Sequence, residues 1–159
     1  MPPDDRSTES SHGAAATLTL LIAIARAFKS IDDYVRPRLA DLGLAMTEFA
    51  VLEVLLHKGP IPLGDLSEQI LITGASTTYV VKKLERRRLL RRTPSKEDNR
   101  VIVASLTPAG RTLIQAIFPH HVEHLSEVMK GLSTQEKRTA AMLLRKLTKA
   151  TAQNPAVKA

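Results

Sequence analysis

Between residues 63 and 106 the chain changes its hydrophobic period in a fixed order, and that order restricts the fold more than any other feature. A short amphipathic piece, 63–70, carries Leu66 and Ile70 at helical spacing. A turn through Leu71, Ile72, Thr73 and Gly74 follows, and then a longer helical stretch over 74–87 with Thr73 as its N-cap. Two short aliphatic and β-branched segments come next, 89–93 and 100–106, joined by Pro94, Ser95, Lys96, Glu97, Asp98 and Asn99. That is the pattern of a hairpin with a polar tip. Short helix, glycine-containing turn, longer helix and hairpin together make a helix-turn-helix with a β wing.

Helical periods flank this unit on both sides. Residues 1–13 hold Pro, Asp, Ser, Glu and Gly without an apolar period and are expected to form a disordered tail. Over 17–39, Leu21, Ile24, Phe28, Ile31 and Val35 step by three and four. Leu18, Ile22 and Ala25 form a second stripe beside the first, more apolar surface than one small domain covers, so a second chain is expected against it. Gly43 breaks the pattern, and Thr47 is the expected cap of a helix with Phe49, Val51, Leu52, Leu55 and Leu56 inward, stopped by Gly59 and Pro60. Thr107 followed by Pro108 opens another helix, with Ile114, Ile117, Phe118, Val122, Leu125 and Met129 inward and a kink expected at Pro119. Gly131 ends it, and Ser133 with Glu136 forms a capping box for a last helix carrying Leu143, Leu144 and Leu147, with the chain expected to fray beyond Thr151.

Composition sets the outer limits. The chain has 159 residues, 43% of them hydrophobic and 25% charged, which is one domain's length with enough apolar material for a core. Cysteine is absent, which excludes disulfides, thiol chemistry and any Cys-ligated metal site. No run reaches the roughly 18 uninterrupted apolar residues of a membrane span, and a cytoplasmic location is expected. The formal charge is +7 with a pI near 10.0. Residues 82–100 carry most of it: Lys82, Lys83, Arg86, Arg87, Arg88, Arg91, Arg92, Lys96 and Arg100 face only Glu85, Glu97 and Asp98. A clustered positive field attracts phosphate backbones, whereas a dispersed one mainly keeps a protein soluble.

Stepping each residue of 74–87 by about 100 degrees places Thr77, Val80, Val81 and Leu84 in one sector, the expected buried face. Ala75, Tyr79, Lys82 and Arg86 lie opposite, with Thr78 and Lys83 at the edges. Small residues let a helix approach a major groove closely, while Arg and Lys donate to guanine edges and phosphates. A solvated basic helix is the simpler alternative, but an outward Tyr79 among small residues fits it poorly. The expected DNA contacts are Thr73, Ala75, Ser76, Thr78, Tyr79, Lys82, Lys83 and Arg86, with Lys96 and Arg100 of the hairpin reaching an adjacent minor groove. Asp98 is expected to pair with a neighbouring Arg and hold the wing's shape.

The residues now in view resemble a known family. Over 46–110 the chain is similar to the MarR family of winged-helix transcription factors. The matching residues are Thr47-Glu48-Phe49-Ala50-Val51-Leu52, then Leu66 and Ile70, then Lys83-Leu84-Glu85-Arg86-Arg87. Asp98-Asn99-Arg100 fills the family's Asp-x-Arg wing motif, and Leu106-Thr107-Pro108-Ala109-Gly110 resembles its Leu-Thr-x-x-Gly closure. The resemblance implies a mainly α fold with a small β-hairpin wing: a DNA-binding lobe over 41–107, flanked by a helical dimerisation region over 14–40 and 108–151. It further implies a homodimer on a pseudo-palindromic double-stranded operator, usually a repressor, with a small-molecule effector and no cofactor. Ser76-Thr77-Thr78-Tyr79-Val80 and Ile117-Phe118-Pro119 resemble the branch that senses quinones and related phenolics. An effector would sit between the dimerisation helices and the DNA-binding lobe, which makes Phe28, Tyr34, Phe49, His57 and Phe118 pocket candidates, although a place in the apolar core is the stronger reading for most of them. One residue departs from the pattern: Arg88 stands where the family usually has Gly, and a left-handed backbone there would cost Arg roughly 1 kcal/mol.

Other chemistry finds little support. His120, His121 and His124 share a helix with Glu123, but no second ligand cluster lies at a metal-site spacing, so no metal is expected. Neither a phosphate loop, a nucleophile with its base, nor a pair of carboxylates on one face is present, and an enzyme is not expected. A winged-helix protein-interaction module without DNA binding is the alternative, and it would require an acidic protein partner.

Overall fold

A computed structural model describes the backbone of residues 5–70 and 74–153 and the side chains of 13–70, 76–151 and 153. The elements run α1 (Asp5–Asp41), α2 (Met46–Lys58), β1 (Ile61–Pro62), α3 (Leu63–Ile70), α4 (Gly74–Arg86), β2 (Leu90–Pro94), β3 (Ile102–Leu106), α5 (Pro108–Val128) and α6 (Thr134–Ala152). Two compact units divide the chain within α5, one ending at Glu123 and the other beginning at His124.

Helix α1 starts at Asp5, inside the segment 1–13 expected to be a tail. A single Gly13 costs a helix only about 1 kcal/mol, and Ala14, Ala15 and Ala16 beyond it have the highest helix propensity of any residue, so the helix propagates through. The helix buries little of itself: Val35 and Leu39 are covered, whereas Leu18, Leu21, Ile22 and Phe28 are exposed. Although no uninterrupted apolar run reaches roughly 18 residues, Gly13–Asp41 is long and apolar enough to cross a membrane by length and composition. Its end is a Schellman motif. The N–H of Leu44 donates to the Leu39 carbonyl at 2.9 Å and that of Gly43 to the Ala40 carbonyl at 2.8 Å, with Gly43 at φ 68°.

The cap of α2 differs from the expected one. Ala45, not Thr47, is the N-cap, and its N–H donates to Glu48 Oε2 at 2.8 Å. A carboxylate at the third helical position performs this task without a capping hydroxyl. Phe49, Val51, Leu52 and Leu55 then go into the core, joined by Leu44, Leu66, Val81, Leu84, Leu90, Ala104 and Ile114.

The sheet has three antiparallel strands in the order β1-β3-β2, one more than the hairpin. The two-residue β1 is not legible as a strand in the sequence, because it pairs Ile61 with Ala104 and Pro62 with Val103, partners some forty residues away. Pro62 is tolerated because β1 is an edge strand, where a missing donor breaks no central ladder. The hairpin strands lie within a residue or two of their expected bounds, registered from Leu90 opposite Leu106 to Pro94 opposite Ile102.

Thr107 caps α5 as expected, its Oγ1 accepting from the N–H of Gly110 at 3.0 Å. Ile114 and Ile117 are buried, but Val122, expected inward, is exposed. Pro119 lies inside the helix, which continues to Val128. In the second unit, Ser133 Oγ accepts from the N–H of Glu136 at 3.2 Å while Glu136 Oε2 accepts from that of Ser133 at 2.7 Å, the expected capping box. Ser133, through its hydroxyl first and its backbone N–H second, holds the Glu136 carboxyl below its ordinary range. Met142, Leu143, Leu144 and Leu147 of α6 are exposed.

Candidate nucleic-acid interface

Helix α4 is amphipathic in the predicted sense. Thr77, Val80, Val81 and Leu84 are buried, and Ser76, Thr78, Tyr79, Lys82 and Arg86 are exposed, Tyr79 by 64%. A large aromatic left this open on a folded helix, between hydroxyls and cations, suits contact with a base or sugar better than it suits solvent. Thr73 lies outside the described residues, and Ala75 is described only as backbone within α4.

The basic cluster separates into two groups once side-chain partners are traced. Lys83 Nζ and Arg87 Nη1 each lie 3.3 Å from Oε1 of Glu48, and Arg87 also donates to the Gly43 carbonyl at 2.9 Å. Arg91 donates to Ser105 Oγ at 3.1 Å across the hairpin. Arg92 grips Glu85 through Nε at 2.9 Å and Nη2 at 2.6 Å, and its own N–H donates to the same carboxylate at 3.3 Å. The fork of Arg92 accordingly holds the Glu85 carboxyl below its ordinary range. Lys82, Arg86, Arg88 and Lys96, by contrast, engage no carboxylate among the described residues, so their charge is directed at solvent. Tyr79, Lys82, Glu85, Arg86 and Arg92 line a shallow groove where α4 meets β2. The sequence does not single out Arg92, because nothing local distinguishes it from the cations beside it.

At the wing tip, Asp98 pairs with Arg100 itself. Oδ1 accepts from the Arg100 N–H at 2.9 Å and from its Nε at 3.1 Å, while Oδ2 accepts from Nη2 at 3.2 Å. Arg100, through its guanidinium first and its backbone N–H second, holds the Asp98 carboxyl below its ordinary range. The N–H of Ser95 donating to the Val101 carbonyl at 2.7 Å and that of Val101 to the Asp98 carbonyl at 2.9 Å complete the turn. The Arg100 side chain remains 92% exposed while paired, so the motif fixes its direction without covering it.

The base of the wing explains the closure motif. Arg88 has φ 59°, the left-handed conformation that the family's Gly would adopt. It occupies the C′ position of a second Schellman motif, with the N–H of Leu89 donating to the Leu84 carbonyl at 3.0 Å and that of Arg88 to the Glu85 carbonyl at 2.8 Å. A Cβ on Gly110 would stand 1.8 Å from the Leu89 carbonyl oxygen, so only glycine lets α5 start this close to the strand.

The pocket candidates are dispersed. His57 of α2 meets Phe118 of α5 edge-on at 4.8 Å between ring centres, and Phe49 meets His121 at 4.2 Å. These two contacts stitch α2 to α5, and His121, which its sequence neighbours suggest only as a metal ligand, is the buried partner in one of them. Tyr34 lies under the guanidinium of Arg38 at 3.5 Å, and Phe28 is 71% exposed on α1. His120 Nδ1 is 3.3 Å from Glu123. Among the described residues no three His, Asp or Glu side chains converge as a metal site would require.

Comparison with known proteins gives this geometry its context. Residues 44–102 match the MarR family. The HTH-type transcriptional regulator MhqR of Bacillus subtilis is 40% identical over 131 residues, covering 82% of this chain and 90% of that one. BpsR of Bordetella bronchiseptica, whose DNA binding is regulated by 6-hydroxynicotinic acid, superimposes with a TM-score of 0.74 at 26% identity over 82% of this chain and 98% of its own. A mutant of E. coli MarR, solved in complex with operator DNA, shares the fold with a TM-score of 0.74 at 21% identity, over 83% and 95% of the two chains. The helix-turn-helix, its wing and the identity to MhqR agree: the chain belongs to the MarR family of winged-helix, DNA-binding transcriptional regulators.

Proposed function

We propose that the protein is a homodimeric repressor that occupies a pseudo-palindromic operator and leaves it when a small aromatic or lipophilic molecule binds. The observation that carries this reading is the exposed face of α4, where Tyr79, Lys82 and Arg86 stand in the open beside a wing presenting Lys96 and Arg100. Ser76 and Thr78 would accompany them in the groove, and the sequence adds Thr73 and Ala75 to the proposed contacts. The exposed apolar residues of α1 and of α6 supply what a second chain would cover, and the membrane-like composition of Gly13–Asp41 is that face. A protein working on operator DNA would reside in the cytoplasm.

For the effector, the support is the pair of ring contacts between α2 and α5. An aromatic ligand that inserted beside His57 and Phe118 would move α5 relative to the lobe, and a change in recognition-helix spacing would release the operator. BpsR is precedent for regulation of DNA binding by a small heteroaromatic acid. The test is to sequence the genomic fragments that the purified protein selects. The expected result is an inverted repeat with half-sites about 34–36 Å apart, bound by a dimer and released by a simple quinone or phenol. Absence of any enriched sequence, with capture of an acidic protein instead, would overturn it.

A further inference from the structure

The sequence suggests that Lys83 belongs with the DNA contacts, yet the structure turns it and Arg87 onto a buried carboxylate. Both cations converge on one oxygen of Glu48, a carboxylate only 2% exposed, whose second oxygen accepts from the N–H of Ala45. Arg87 adds a bond to the carbonyl of Gly43. The network therefore joins the last turn of α4 to the corner between α1 and α2, across some forty residues of sequence.

We propose that Glu48 is a positioning residue for operator recognition, and that Lys83 and Arg87 are its anchors at the C-terminal end of α4 rather than phosphate contacts. The buried face of α4 is almost wholly apolar, and apolar packing is non-directional: it holds the helix down but resists rolling about its axis weakly. An ionic grip at one end adds direction toward the α1–α2 corner, as the Glu85–Arg92 pair adds it toward the wing. Lys83 and Arg87 are four residues apart, hence on the same side of the helix. Each directly follows an outward cation, Lys82 or Arg86, so fixing the first pair fixes the direction of the second. Burial makes the grip stringent, because a carboxylate out of water needs its partners and cannot release one cheaply.

This inference rests on the proposed binding of operator DNA, and the two fail differently. The whole chain is titrated with its selected operator and with random-sequence DNA across a salt series, as wild type, Lys83→Gln, Arg87→Gln, Glu48→Gln and the double variant Glu48→Gln/Arg87→Gln, with helicity checked by circular dichroism. Arg87→Gln is expected to weaken operator binding roughly two- to thirtyfold, leaving random-sequence binding and the salt slope as in wild type. Lys83→Gln shifts the same way, and the double variant loses no more than the worse single. A salt slope lowered by about one, with both DNAs weakened alike, would make either residue a phosphate contact and overturn the proposal. Unchanged operator affinity in folded Arg87→Gln and Lys83→Gln overturns it too. Both side chains are partly exposed, so these variants decide the question even if the Glu48 variants do not fold. Wild type that selects no operator sinks the proposed function instead.

Discussion

The hydroxyl of Thr107 donates to the carbonyl of Arg88 at 2.7 Å, closing the base of the wing onto a residue whose backbone is left-handed. The N–H of Thr107 meanwhile donates to the carbonyl of Leu89 at 3.1 Å. The start of α5 therefore holds in place a turn that costs its central residue about 1 kcal/mol.

From this relationship, Arg88→Gly should stabilise the protein by about 1 kcal/mol, since glycine adopts that backbone without steric cost. Urea unfolding at fixed protein concentration measures it, because the midpoint of the proposed dimer would depend on concentration. A lower midpoint would mean the Arg88 side chain contributes more than its backbone costs.

Gly110→Ala should act in the opposite direction. The added methyl would meet the Leu89 carbonyl oxygen at 1.8 Å and its carbon at 2.7 Å, and both are backbone atoms that cannot rotate away. A loss of at least about 1–3 kcal/mol is expected, the range for overpacking, read as a lowered melting temperature.

On DNA, Lys82→Ala with Arg86→Ala should lower the dependence of operator binding on salt and abolish the preference for operator over random sequence. Fluorescence anisotropy in a salt series reports both. Full sequence preference in the double variant would remove α4 from recognition.

Acid should loosen the join between α4 and the wing. Arg92 holds the folded Glu85 carboxyl below its ordinary range, so the unfolded chain binds the proton more readily. The stabilisation is thus complete above the ordinary Glu value of about 4.3 and is lost as pH falls through the lowered folded value. Comparing wild type with Glu85→Gln, the stability gap should be present at neutral pH and close in acid. A gap independent of pH would show that the Glu85–Arg92 pair contributes nothing through its charge.

Much of the architecture is written in local patterns. The buried sector of α4 follows from the positions of Thr77, Val80, Val81 and Leu84 alone, and the Ser133–Glu136 box and the Thr107 cap follow from residues three apart, because those hydrogen bonds close within one turn. Where local pattern fails, a second solution to the same local need is present: Glu48 caps α2, so Thr47 does not have to. The alanines after Gly13 likewise extend α1 through a segment whose polarity suggests a tail.

The sequence by itself determined the order of elements, the faces of the recognition helix and the place where positive charge collects, since period and composition are properties of neighbours along the chain. Only the tertiary structure decided which of those charges are available. Lys83 and Arg87 are held by Glu48 and Arg92 by Glu85, whereas Lys82, Arg86 and Lys96 engage no carboxylate among the described residues and Arg100, paired locally with Asp98, stays 92% exposed. The most consequential of these pairings, Glu48 with Lys83 and Arg87, and the β1–β3 pairing bridge some forty residues, and no periodicity marks such a partner. Packing of the core brings those partners within reach, and the charge left exposed, Arg100 included, is what remains for the proposed contact with DNA.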